Sequence, residues 1–222
     1  MHKWSWKPNL IVFGYFLFLL VVWGIWELIL SPITLTAFGL VGHELIDASL
    51  KISLWTVPSV YLLYKHRSGL FVGIKEMFTT KVNWLKYWPF FFGFVMVNIT
   101  GAYFTFGKIS VHESFNPLSL IGSVLFVGIT EEMVFRGLLL NATLPKMKQL
   151  TAIFLNTVMF LVIHFPIWIA KGIFLDTLSS GRFLIVIALS VIFSMTFIKS
   201  KSIFVPIVLH MFWNLLTRLL FG

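Results

Sequence analysis

The chain has 222 residues, 59% hydrophobic and 11% charged, with a mean hydropathy of +0.95. A soluble domain carries about 25% charged residues, so a chain this apolar has too few polar groups to cover a water-facing surface. The formal net charge of +9 is spread in short clusters between apolar runs. That suits loops lying against anionic lipid and excludes nucleic acid as a partner, since no basic patch is long enough to track a phosphate backbone. Without cysteine, disulfide, thiolate and cysteine-ligated metal chemistry are also excluded.

Lys3 and Lys7 precede an apolar run that continues to about Leu30 with no small-residue cleavage site. It reads as a retained first span rather than a removed signal. Further apolar segments fall at 38–64, 88–106, 118–143, 149–170, 183–198 and 202–221. Most reach the roughly 17–25 residues that a helix needs to cross the hydrocarbon. They lack the alternation of a transmembrane barrel. The expected architecture is an all-α polytopic transmembrane helical bundle of about seven spans, in one domain over residues 1–222.

The second span is the weakest, because it contains His43, Glu44, Asp47, Lys51 and Pro58. His43, Glu44 and Asp47 read as rim or packing residues near its start, or as the lining of an access path. Residues 69–87 mix Lys75, Glu76, Lys81 and Lys86 with Phe71, Ile74, Met77, Phe78 and Trp84. This reads as a short amphipathic helix and linker on the membrane surface, or an eighth span if it inserts.

Loop charges set the orientation. With the N-terminus inside, the inner loops hold Lys3, Lys7, Lys65, Arg67, Lys75, Lys81, Lys86, Lys146, Lys148, Lys199 and Lys201, and the outer loops only Lys108, Lys171 and Arg182. The asymmetry predicts an integral membrane protein with its N-terminus inside and its C-terminus outside. A bacterial cell membrane is the expected location.

An ionisable residue within a span costs roughly 2.5–3.5 kcal/mol on insertion scales, so it needs a partner or a job. Glu132 and Arg136 are four residues apart on one helix face and can pair. Glu131 is rotated about 100° from Glu132 and must look elsewhere. The next span carries His164, and the last puts His210 and Asn214 on one face. Taken singly, these could be hydrogen-bonded interior residues or helix–helix adhesives. Counted from the inner ends of their spans, Glu131 lies about 18 Å deep, His164 about 22 Å, His210 about 12 Å and Asn214 about 18 Å. All four can therefore meet in one cavity, where a carboxylate, two imidazoles and an amide suit water activation and oxyanion stabilisation.

These segments resemble the CPBP intramembrane protease family, which includes CAAX prenyl endopeptidases of the Rce1 type and bacterial proteins linked to bacteriocin processing or immunity. The family's Glu-Glu-x-x-x-Arg is present as Glu131-Glu132-Met133-Val134-Phe135-Arg136, its Phe-x-x-x-His as Phe160 to His164, and its His-x-x-x-Asn as His210 to Asn214 after a Ser202-Ile203-Phe204-Val205-Pro206-Ile207 stretch. Lys201 departs from the small residue that often precedes that serine.

The resemblance implies a catalytic core over 118–221. It implies that Glu131 and His164 activate water and that His210 and Asn214 form the oxyanion site, with Glu132, Arg136 and Phe160 in support. It also implies a membrane-associated peptide or protein as substrate, and a reaction without metal or other cofactor. The alternative is a zinc site of Glu131, His164 and His210 with one position open for water, although no His-Glu-x-x-His is present. Two other classes compete: a non-catalytic bacteriocin-immunity or scaffold protein, and a transporter using the same charges as a proton relay, against which stands the lack of an inverted repeat. Nothing in the sequence speaks to oligomeric state.

Overall fold

The computed structural model describes residues 7–117 and 120–222, with side chains from Leu10 onward. Lys3 and the first two residues of the expected core lie outside the described residues. The described chain is all α-helical: a polytopic membrane bundle in which five helical runs are long and apolar enough to cross a bilayer.

The first run, Leu10–Lys65, has 56 residues. At about 1.5 Å per residue it is far longer than one crossing of about 30 Å, and it doubles back. It comprises α1 (Lys7–Ile25), α2 (Ser31–Leu50) and α3 (Val57–Lys65), joined by wider π-helical turns over Trp26–Leu30 and Lys51–Thr56. The reversal is at Gly39, whose φ of 64° and ψ of −177° fall outside the helical region and are tolerated because glycine has no Cβ. The two arms are tied together by the Tyr15 hydroxyl donating to the carbonyls of Leu54 (3.1 Å) and Trp55 (2.7 Å), and by Trp26 Nε1 donating to Asp47 Oδ1 (2.9 Å). The expected segments 10–30 and 38–64 are these arms.

Between the hairpin and α5 (Trp88–Phe106) lie α4 (Ile74–Thr79) and a 3₁₀ turn, Trp84–Tyr87. Six residues rise about 9 Å, too little for α4 by itself to cross the hydrocarbon. Met77 of α4 is fully buried while Phe78 remains 40% exposed, as on a helix lying along a surface.

Residues 120–143 form one continuous helical run that includes α6 (Val127–Glu132) and α7 (Asn141–Thr143). Its three charges, Glu131, Glu132 and Arg136, keep it from standing out by composition. After it come α8 (Gln149–Val162), α9 (Phe165–Ala170), α10 (Phe174–Ser179), α11 (Phe183–Ser200) and α12 (Phe204–Phe221). The 120–143 run packs against α12 and α8, and α11 lies along both α8 and α12.

Two features fix these helices lengthwise. At one end, Asn141 pairs with the backbone of Val72, accepting from its N–H (2.7 Å) and donating to its carbonyl (3.0 Å), and Ile203 N–H donates to Met77 O (3.1 Å). The short α4 segment is thereby stitched to the ends of the two helices that carry Glu131 and His210. Midway, the 120–143 run crosses α12 at Gly128, where a Cβ would fall 2.5 Å from Met211 Cγ. Only glycine permits that approach.

Candidate active site

Two adjacent carboxylates on the 120–143 run face different surroundings. Glu132 and Arg136 have no exposed surface and pair at 2.9 Å. Arg136 Nη2 also donates to Ser190 of α11, at 3.0 Å to the carbonyl and 2.9 Å to the hydroxyl. Its guanidinium lies between the rings of Phe160 (4.5 Å) and Phe193 (5.4 Å). His210 Nδ1 faces Glu132 Oε1 at 2.8 Å, with its ring stacked on Phe193 at 5.0 Å. A buried ion pair is tolerated when further hydrogen bonds and aromatic faces surround it; here these satisfy Glu132 Oε1 and both terminal nitrogens of Arg136, while Glu132 Oε2 and Arg136 Nε have no hydrogen-bond partner. The pairing expected of Glu132 and Arg136 is present, and His210 is a third member that the sequence did not reveal.

Glu131, rotated around the helix, instead lines a cavity of ≈ 500 Å³. Its Oε2 is buried and has no hydrogen-bond partner. His164, His210 and Asn214 line the same cavity, so the four residues expected to meet do share one chamber.

His164 lies within one run, Gln149–Ala170, long and apolar enough to cross the membrane, as the sequence predicts, but at a local tight turn between α8 and α9 that the sequence reading does not anticipate. Pro166 is the cause. It lacks the N–H that would bond the Val162 carbonyl, and its ring crowds that carbonyl. The helix tightens ahead of it, with His164 N–H donating to Leu161 O at 3.1 Å, and this frees the carbonyl of Phe160. The His164 ring takes the vacant acceptor, Nδ1 to Phe160 O at 2.6 Å. A carbonyl can only accept, so Nδ1 carries the proton and Nε2 of the neutral ring is left as an acceptor. Phe160 therefore orients His164 through its backbone, while its ring packs against Arg136 and both imidazoles (4.9 Å to His164, 6.1 Å to His210).

Asn214 Nδ2 donates one hydrogen to the Ser123 carbonyl at 3.0 Å, its second N–H having no acceptor among the described residues, and Arg218 donates to the Ser123 hydroxyl at 3.0 Å. His210, with Nδ1–H given to Glu132, donates from Nε2 only when the ring carries both protons.

The opposite wall comes from the N-terminal hairpin. Trp26, Glu27, His43, Glu44, Asp47 and Lys51 all line the cavity. Lys51 pairs with Asp47 at 2.7 Å and lies over the Trp23 ring at 5.0 Å, and His43 stacks on Trp26 at 5.7 Å. The Glu44 carboxylate occupies the space that a side chain at position 122 would fill, and Gly122 leaves it open. His43, Glu44 and Asp47 line the cavity, and His43 and Asp47 also pack within the hairpin, as rim or packing residues would. Glu27 and Lys51, 8% and 9% exposed, were missed as site residues. Their cost within a span was the available signal.

Among the described residues, no group of three or more His, Asp or Glu side chains is arranged to hold a metal ion. The three residues of the alternative zinc set, Glu131, His164 and His210, are not gathered into such a group.

The chain matches no curated protein and no solved structure. Residues 113–216, the stretch that contains Glu131, Glu132, Arg136, Phe160, His164, His210 and Asn214, match the family model described as Type II CAAX prenyl endopeptidase Rce1-like.

Proposed function

We propose that this membrane protein is a CPBP-family intramembrane endopeptidase, with residues 118–221 as its catalytic core, cutting a membrane-associated peptide or protein. The observation that carries the reading is the Glu131 carboxylate: half-buried, its Oε2 without a partner, in the same cavity as an imidazole whose tautomer is fixed by Phe160. A group so costly in a membrane is kept for chemistry rather than for cohesion. The family match over the same stretch supports this.

In the proposed reaction, Glu131 accepts a proton from a water molecule that hydrogen-bonds His164 Nε2, and the water oxygen attacks the peptide carbonyl. The second N–H of Asn214, with Nε2 of doubly protonated His210, donates to the oxyanion as it forms. Glu131 then returns its proton to the leaving amine as the carbon–nitrogen bond breaks. Glu132, Arg136 and Ser190 hold His210 in place. No metal takes part in this scheme.

The test is purified protein in liposomes with a peptide library, scored for cleavage by mass spectrometry. Cleavage by the parent chain, abolished in Glu131→Ala and His164→Ala with both variants still folded in the membrane, supports the proposal. Full activity in Glu131→Ala ends it.

A further inference from the structure

The two ends of the bundle differ in charge. One end gathers residues 65–87, 141–149 and 199–204, joined by the Asn141–Val72 and Ile203–Met77 hydrogen bonds and the Lys201–Glu76 ion pair. It carries five cations between Lys65 and Lys86, then Lys146, Lys148, Lys199 and Lys201, against the single acid Glu76. The other end gathers the Gly39 reversal, the 107–117 loop bonded to α12 through His112 N–H and Leu219 O (2.8 Å), and the 171–182 connection. There Lys108, Lys171, Arg182 and Arg218 are balanced by Glu44, Glu113 and Asp176. A lysine-rich end against a balanced end marks the cytoplasmic and non-cytoplasmic faces respectively.

The cavity is not centred between these ends. Most of the residues lining it come from the half of their helix nearer the balanced end: Glu27 and Ser31 of the first arm, His43, Glu44 and Asp47 of the second, Ser123 and Val127, His164 to Lys171, and Asn214 to Gly222. Its deepest members are Trp55, Glu131 and His210. Beyond them toward the basic end the helices close into solid core, with Val134, Phe135, Arg136, Leu138, Leu139 and Leu140 all fully buried. Polar groups lining the cavity continue outward to Lys171 and Arg218, at the balanced end, whereas Glu132 and Arg136 on the basic side of Glu131 have no exposed surface.

We infer that the cavity opens on the non-cytoplasmic face, so that its occupant is a peptide segment presented from that side of the membrane. The word substrate for that occupant rests on the proposed protease reading; the direction of access does not. A cytoplasmic chain end would have to pass the buried Glu132–Arg136 layer to reach Glu131.

The absence of cysteine makes the chain a clean background for single-cysteine labelling. Ser179→Cys marks the balanced end, Gln149→Cys the basic end, and Ser31→Cys the cavity rim; the first two positions are exposed and the third half-buried. Each variant is treated in intact cells, then in permeabilised cells, with a membrane-impermeant maleimide. The expected result is that Ser179→Cys and Ser31→Cys react in intact cells, and that Gln149→Cys reacts only after permeabilisation.

Reaction of Gln149→Cys in intact cells, with Ser179→Cys silent until permeabilisation, would overturn the inference. So would a Ser31→Cys that reacts only from the side that labels Gln149→Cys, or from neither side. Labelling requires no turnover. An inactive but outward-labelled protein would therefore refute the protease reading alone, and an active but inward-labelled one the inference alone.

Discussion

Glu131 and Glu132 are neighbours of identical chemistry, and the structure predicts opposite consequences for removing their charges. Glu132 Oε1 accepts from Arg136 Nη1 at 2.9 Å and faces His210 Nδ1 at 2.8 Å, with all three residues buried. Glu132→Gln leaves the arginine buried beside a neutral amide. Breaking a buried pair on one side costs about 3–5 kcal/mol, and the lower figure applies because the amide oxygen keeps one acceptor. For a chain of this size about 3 kcal/mol corresponds to roughly 6–12 °C in Tm.

Glu131→Gln removes a carboxylate whose Oε2 bonds to nothing, so it leaves stability unchanged or slightly improved. Its activity, however, falls by about 10²–10⁴, the scale of a general base. The assay is thermal unfolding in detergent alongside peptide cleavage by the same preparations. A Glu132→Gln protein as stable as the parent, or a Glu131→Gln protein that melts several degrees earlier, would show that the division between cohesion and chemistry is drawn wrongly.

Four further outcomes are expected. Asn214→Ala lowers kcat about 10²-fold, as for one lost oxyanion donor, with membrane accumulation unchanged on blots. Gly128→Ala forces α12 away at Met211 and costs about 1–3 kcal/mol by overpacking; Gly93→Ala, with nothing within 4 Å of its added Cβ, raises the melting temperature slightly. Lys201→Gly stabilises by about 1 kcal/mol, because Lys201 caps α11 with φ of 55° and gives up only an exposed pair with Glu76 at 3.4 Å; denaturation of the two proteins side by side checks it. Excess chelator leaves cleavage undiminished, and elemental analysis finds no stoichiometric zinc; loss of activity restored by zinc would revive the metal alternative.

The helices were legible because a bilayer imposes its own length on apolar runs, and the bounds of α5 match the apolar run at 88–106 to the residue. The Glu132–Arg136 pair was legible because helical spacing alone brings residues four apart together. His210 beside Glu132 was not, since 78 positions separate them and only packing of α12 on the 120–143 run joins them. Ser123 and Ser190 carry no spacing signal: a serine in a span reads as neutral until an arginine or amide is found pointing at it. The break at His164 had a visible cause in Pro166, but apolar periodicity runs through it unchanged and hides the local tightening that turns the imidazole.

That break bears on why Phe160 stands four residues before His164. In an uninterrupted helix the Phe160 carbonyl would be taken by the backbone N–H of residue 164, and a histidine there would find no acceptor on its own helix. With the turn shortened to Leu161 O, the same spacing delivers a carbonyl to the side chain instead. The ring of Phe160, meanwhile, fills the space between the Arg136 guanidinium and both imidazoles. One residue thus fixes the tautomer of His164 with its backbone and packs against Arg136 and both imidazoles with its side chain. Pro166→Ala should separate the two roles: with an N–H restored to Val162, the helix can close, Phe160 O returns to the backbone, and His164 loses its fixed tautomer while the aromatic packing stays. Turnover should then fall without loss of fold, and a Pro166→Ala protein with undiminished kcat would mean that the orientation of His164 is set by something other than this break.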